Sequence, residues 1–182
     1  MKVLVCISGA SGVNLGIKLL LNLPNNLEIF AVISQNAKDI LNIENNSVLD
    51  KSKFKNITFF DNKDLGAPVS SGSFGISKTI IAPCSINTLG KIASGISDNL
   101  ITRSAAVAIK EKKQLILGVR EMPLSYISLN QMTMLSSIGV MIAPPVYANY
   151  SDIKSLDDLE NFFVGKWLDS LNFEHNLYKK WR

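Results

Sequence analysis

The chain has 182 residues, 47% of them hydrophobic, and 19 Lys and Arg against 15 Asp and Glu give a formal net charge of +4. No apolar run approaches about 18 residues, which excludes a membrane span, and the basic residues are scattered without aromatic interleaving, which excludes a single-strand nucleic-acid binder. An anionic small ligand accounts for the excess positive charge equally well.

The same length and apolar content predict one domain, residues 1–182, since no Pro/Ser-rich or like-charge stretch marks a linker. The chain opens on strand-like residues rather than a basic region, an apolar segment and a cleavage site, so the expected location is the cytoplasm. Two cysteines, Cys6 within the first strand and Cys84 after a later one, are too few for a disulfide framework and are expected to be reduced. For Cys84, a small buried residue is the commoner reading than a nucleophile.

The first predicted element is a strand over 3–7, closed by Ser8-Gly9-Ala10-Ser11-Gly12 and followed by an amphipathic helix over 13–21. Such a turn aims backbone N–H groups and the positive end of a helix dipole at one spot, which suits an anion or a polar ring edge. The glycines fall at Gly9, Gly12 and Gly16, not in the dinucleotide spacing, and no acidic residue closes the next strand, so NAD is not expected. Ile17 and Lys18 follow Gly16, so there is no Walker loop either. Taken alone, tight packing of helix on sheet explains these glycines as well as a ligand does.

Further strand-like runs follow at 27–33, 57–60, 78–82, 114–119 and 139–142, mostly separated by helix-period segments. Short apolar runs in this alternation predict an α/β domain with a mostly parallel sheet covered by helices on both faces, a three-layer α/β/α arrangement. In such sheets ligands sit beyond the carboxyl ends of the strands. Those positions read Gly9-Ala10-Ser11, Ser34-Gln35-Asn36, Pro83-Cys84-Ser85-Ile86-Asn87-Thr88 and Arg120-Glu121, with Ser70-Ser71-Gly72-Ser73 before the fourth strand. Any one hydroxyl here is most often a helix N-cap; their clustering at several strand ends points to a phosphate or heteroaromatic ligand.

The stretches Ser8-Gly9-Ala10-Ser11-Gly12, Ala67-Pro68-Val69-Ser70-Ser71-Gly72-Ser73-Phe74, Pro83-Cys84-Ser85-Ile86-Asn87-Thr88-Leu89, Asp98-Asn99-Leu100-Ile101-Thr102-Arg103-Ser104-Ala105, Val119-Arg120-Glu121-Met122-Pro123-Leu124 and Pro144-Pro145-Val146 together resemble the UbiX-like flavin prenyltransferases. These belong to an FMN-binding flavoprotein group that also contains cysteine decarboxylases. Their order and spacing match over nearly the whole chain. The resemblance implies a Rossmann-like flavoprotein fold and a reaction that joins a dimethylallyl group, from dimethylallyl monophosphate, to reduced FMN. The product would be prenylated FMN, the cofactor of UbiD-type decarboxylases in routes such as ubiquinone biosynthesis.

Carried over by position, the resemblance implies FMN contacts at Gly9, Ala10, Ser11, Ser34, Ser85, Ile86, Asn87, Thr88 and Arg120. It places the Ser11 hydroxyl near the ring nitrogen that is alkylated, gives Glu121 a part in proton handling, and assigns the donor phosphate to Lys110, Tyr150 and Lys166. Arg103 is left between a subunit contact and a phosphate contact. Trp181 falls in a tail, about 172–182, expected to close over the site, and homo-oligomers, up to dodecamers, are implied. Fixed cations and hydroxyl donors are what a departing phosphate needs, so no metal is invoked.

Each residue also has a plainer reading. Lys110 lies in a Lys110-Glu111-Lys112-Lys113 helix end, Lys166 in an amphipathic segment over 159–168 where a snorkelling lysine is ordinary, and Tyr150 and Trp181 suit packing. Glu121 could simply pair with Arg120. The chain departs from the family at Leu15, where a Tyr is usual, and at Tyr147-Ala148-Asn149-Tyr150-Ser151-Asp152, which touches the expected substrate pocket. Two alternatives remain: a non-catalytic FMN carrier, and a cysteine-type decarboxylase. The second uses an active-site histidine near the amino terminus, whereas the sole histidine, His175, lies near the carboxyl end, where a surface position is expected.

Overall fold

The structure, a computed structural model, describes residues 1–181. Six strands, β1 (Lys2–Ile7), β2 (Glu28–Ile33), β3 (Ile57–Asp61), β4 (Lys78–Cys84), β5 (Gln114–Val119) and β6 (Met141–Ile142), form one sheet in the order β3-β2-β1-β4-β5-β6. Every neighbouring pair is parallel. The strand order therefore reverses between β1 and β4, and a crevice opens beyond their carboxyl ends.

Six helices cover the two faces: α1 (Val13–Leu21), α2 (Gln35–Asn45), α3 (Ile86–Ala93), α4 (Leu100–Lys110), α5 (Tyr126–Ser137) and α6 (Leu156–Ser170). The inner strands are apolar at successive positions because both faces are covered. On one face Val3, Val5 and Ile7 pack with Leu19, Leu41 and Trp167 of α1, α2 and α6; on the other Leu4, Cys6 and Ile81 pack with Leu89, Ala105 and Leu135 of α3, α4 and α5. The expected α/β/α layering and parallel sheet are what the structure has.

Two local differences from the sequence reading have physical causes. The last strand was expected over 139–142, but Gly139, at φ +92°, and Val140 donate their N–H groups back to Ser136 and Leu135, ending α5, which leaves only Met141 and Ile142 for the sheet. The last helix starts at Leu156, three residues before the apolar period suggested. There Ser155 accepts the Asp158 N–H while the Asp158 carboxylate accepts the Ser155 N–H, a capping box that nucleates an otherwise polar first turn.

Gly16 sets how closely α1 lies on the sheet. A Cβ there would sit 2.3 Å from the Ala82 carbonyl oxygen and 2.8 Å from Ile7 Cδ1, so only glycine permits this approach. The amino-terminal turn of α1 is thereby held against β4, at the switch point. Among the described residues no helix is long and apolar enough to cross a membrane.

Candidate functional site

Ser8 fixes the floor of the crevice. Its hydroxyl, 2% exposed at residue level, donates to the Pro83 carbonyl at 3.0 Å and accepts the Ser85 N–H at 2.8 Å, joining the ends of β1 and β4. Gly12, at φ +84°, caps α1 without a side chain, so the first N–H groups of that helix are left for a ligand or solvent. Three more helices begin at the same edge: Ser34 accepts the Ala37 N–H of α2, Ser85 the Thr88 N–H of α3, and Asn99 the Thr102 N–H of α4. The starts of α2, α3 and α4 line one opening, and those of α2 and α3 bring positive dipole ends to it.

The opening is a cleft of about 470 Å³, lined by Gly9, Ser34, Ser85, Ile86, Asn87, Thr88 and Glu121, with Asn36, Asn62 and Lys91 as further polar groups. That volume lies in the range of small-molecule sites. Ser34 and Ser85 are both N-caps and cleft-lining, so the plain and the functional readings hold together for them. Lys91 is paired at 2.5 Å with Asp98, whose carboxyl the lysine's hydrogen bond holds below its usual range.

Arg120 follows β5, where its N–H donates to the Cys84 carbonyl at 3.0 Å, and its Nε donates to the Ser11 carbonyl at 3.3 Å. The guanidinium is therefore seated on the Gly9–Gly12 turn, beside Ala10 and Ser11. Glu121 is exposed, with Oε1 accepting the Met122 N–H at 3.1 Å; it does not pair with Arg120. A carboxylate that the sequence reading missed also reaches this turn. Glu44, in the last turn of α2, accepts the Gly12 N–H at 3.1 Å. Nothing in its polar helix end distinguishes it from a solvated face.

A second, mainly apolar pocket of about 390 Å³ lies between α6 and the loop that leaves β6. Pro145, Val146, Tyr147 and Phe163 form walls, and Tyr150 and Lys166 supply its polar groups. Tyr150 is packed edge-on between Phe162 at 5.7 Å and Trp181 at 5.5 Å. Beneath it Trp167, 1% exposed, donates its indole N–H to the Ala143 carbonyl at 2.9 Å and so ties α6 to the loop.

Lys110 is not brought to this pocket within one chain. The helix α4 begins at the cleft with Asn99 and ends at the far edge of the sheet with Lys110, which is paired there with Glu111. Eleven residues of helix put roughly 15 Å between the two ends. Arg103, midway, donates from Nε to the Ser70 carbonyl at 3.1 Å.

His175 is not the surface residue expected from its position near the carboxyl end. Its side chain is 4% exposed and bound to Asp169, because the tail folds back along α6. Both cysteines are buried; burial pushes Cys84 up to about 12 and Cys6 further still, so both remain thiols at neutral pH. Among the described residues no three His, Cys, Asp or Glu side chains gather as a metal site would require.

The cleft fits a phosphorylated flavin on its own evidence: three helix amino termini, and hydroxyl and amide side chains around a volume of this size. Comparisons with known proteins agree. The Flavoprotein family profile matches residues 1–168. The chain is similar to the flavin prenyltransferase UbiX of Campylobacter jejuni, 54% identical with 100% of this chain and 99% of the relative covered. Two solved structures superpose throughout. One is a dodecameric FMN-dependent UbiX-like decarboxylase from Escherichia coli O157:H7, with TM-score 0.95, 36% identity and 100% of both chains covered. The other is AnUbiX (PadA1) in complex with FMN and dimethylallyl pyrophosphate, with TM-score 0.94, 36% identity, and 100% of this chain and 97% of that one covered.

Proposed function

This chain belongs to the Flavoprotein family, and from that premise we propose that it is a flavin prenyltransferase, joining a dimethylallyl group to reduced FMN. The observation that carries the reading is a pair of openings: a polar cleft built from helix amino termini, and a mainly apolar pocket whose polar groups include Tyr150 and Lys166. A protein that only stored FMN would need the first and not the second.

Bound in the cleft, reduced FMN supplies the electron-rich ring that accepts the allylic carbon. The chain does the rest by placement and charge. Gly9, Ala10, Ser11, Ser34, Ser85, Ile86, Asn87 and Thr88 hold FMN, with Arg120 locked to the Ser11 carbonyl so that the turn and the cation move as one. Tyr150 and Lys166 donate to the phosphate of the donor, for which we favour dimethylallyl monophosphate, and meet the charge that grows as it leaves. Val146, Tyr147 and Phe163 keep water from the allylic group. Glu121 is the carboxylate nearest in sequence to Arg120 and, being exposed and bound only to the Met122 N–H, is free to take a proton at its second oxygen.

Lys110 belongs to the same reading only if another copy of the chain supplies it. A homo-oligomer agrees with the dodecameric relative. It agrees also with α5 and the loop before it, where Met122, Tyr126, Ile127 and Ile138 are each more than half exposed, so that apolar surface faces away from the core as well as toward it. The product would serve a UbiD-type decarboxylase, in the cytoplasm. The decarboxylase alternative loses its histidine, since His175 is committed to Asp169 on α6.

The test is anaerobic incubation with reduced FMN and dimethylallyl monophosphate, then mass spectrometry of the extracted flavin. A gain of one five-carbon unit, lost in Lys166→Ala, supports the reading; unmodified FMN despite tight binding would favour the carrier. Mixing Lys110→Ala with Lys166→Ala and reassembling the oligomer should recover activity that neither variant has alone.

A further inference from the structure

The helix α6 presents Gly165 and Asp169 one turn apart on one face, and residues 172–181 run back across it. A Cβ on Gly165 would lie 2.5 Å from Tyr178 Cδ1 and 2.8 Å from His175 Cε1, so the tail sits in a groove that only glycine leaves open. Asp169 then binds three tail side chains. Its Oδ1 accepts from His175 Nε2 at 3.1 Å and from Lys180 Nζ at 3.0 Å, and its Oδ2 accepts from the Tyr178 hydroxyl. The donor assignment for His175 follows from its other nitrogen: Nδ1 accepts the Leu177 N–H at 3.1 Å, so it carries no proton and the neutral ring has its proton on Nε2.

From this clasp an aromatic row leads to the pocket. Tyr178 packs edge-on against Phe162 at 5.0 Å, Phe162 against Tyr150 at 5.7 Å, and Trp181 closes on the other side of Tyr150 at 5.5 Å. Trp181 is 78% exposed, so its own packing holds it weakly; its place is set by Lys180 and Tyr178, both tied to Asp169.

We infer that Asp169 is a positioning residue for the donor pocket: by binding His175, Tyr178 and Lys180 together it keeps Trp181 on Tyr150 and so fixes the direction of the Tyr150 hydroxyl. The inference rests on the reading of that pocket given above. The clasp holds across the neutral range. Partial burial pushes Asp169 up, but the bonds from Tyr178 and Lys180 outweigh it and keep the carboxyl below its usual value. Burial and the same carboxylate keep the Tyr178 phenol protonated. The fold itself does not depend on the clasp, because Leu171 and Phe173 anchor the end of α6 in the core.

The experiment compares full-length Asp169→Ala, Asp169→Asn and Tyr178→Phe with the unmodified chain by hydrogen-exchange mass spectrometry of the tail, FMN titration, and steady-state kinetics with dimethylallyl monophosphate. Losing charged hydrogen bonds should speed exchange of the segment 174–181 on the order of tenfold in Asp169→Ala. Donor KM should rise about fivefold or more while FMN affinity stays the same. Asp169→Asn, which keeps the shape and loses the charge, and Tyr178→Phe, which keeps the other two contacts, should fall between. Unchanged tail exchange in Asp169→Ala overturns the inference, and so does faster exchange with donor KM and kcat both unmoved. If Asp169→Ala does not fold, Tyr178→Phe decides by the same two readouts. An unmodified chain without turnover would sink the reading of the pocket, and tail exchange alone would then decide whether Asp169 holds the tail.

Discussion

At the switch point between β1 and β4 the polar groups are fixed by backbone: Ser8 bonds both strand ends, Ser34, Ser85 and Asn99 each close a helix, and Arg120 is seated on a carbonyl. At the β6 edge the pocket is made of side chains, with Tyr150 held between two rings and one of those rings delivered by a tail. The contrast suits the two ligands. On the proposed reading, a flavin gripped in one pose would meet a preformed cradle, and a small allylic phosphate a pocket walled by side chains.

That contrast can be broken from either side. The largest effect is expected at the pocket walled by side chains: Lys166→Ala should lower kcat/KM for the donor roughly 100- to 1,000-fold, the usual loss for a single transition-state donor, with FMN affinity unchanged by titration. If FMN affinity falls in parallel, the two openings are not separate. Gly16→Ala should cost about 3 kcal/mol in urea unfolding, because its Cβ meets the Ala82 backbone oxygen rather than a side chain that could move. A smaller loss, about 1 kcal/mol, is expected for Ser8→Ala, which removes the partner of the partly buried Ser85 N–H. Here FMN affinity should fall too, and an unchanged affinity would mean that the cradle does not depend on that staple.

The smallest effect concerns pH. The folded state holds Cys6 and Cys84 as thiols, with Cys84 raised to about 12. Ionisation in the unfolded chain begins near its ordinary value of about 8.5, so the unfolded state then binds fewer protons than the native one. Stability should be unaffected by these groups below that pH and decline as pH rises from there towards 12. Urea midpoints measured from pH 7 to 10 check the sign, and neither thiol should react with iodoacetamide in the native protein at pH 8.

How much of this was legible in the sequence differs from element to element. Apolar runs and the Ser8–Gly12 turn marked the sheet and its ligand edge, because a strand buried on both faces and a glycine turn before a helix leave short, local patterns. The β6 boundary was lost to the capping of α5 by Gly139, and the start of α6 to a capping box in a polar stretch. Glu44 was invisible because its partner, the Gly12 N–H, is 32 positions away. His175 was misjudged for a different reason: Asp169 and Gly165 are only six and ten positions away, but no periodicity shows that the tail turns back onto α6. Composition and period report what a segment does with its own neighbours, whereas the polar cleft gathers its lining from Ser8 to Glu121; the second pocket is more local, lined by residues 142–170.

Of the two tryptophans of the chain, Trp167 is 1% exposed and lines the second pocket, and Trp181 is 78% exposed and packs against Tyr150, another of its lining residues. One is a fixed internal standard and the other a probe at the mouth. Iodide should quench only the outer indole, and any change in its emission when a donor phosphate is added reports on the pocket directly, without a label or a substitution.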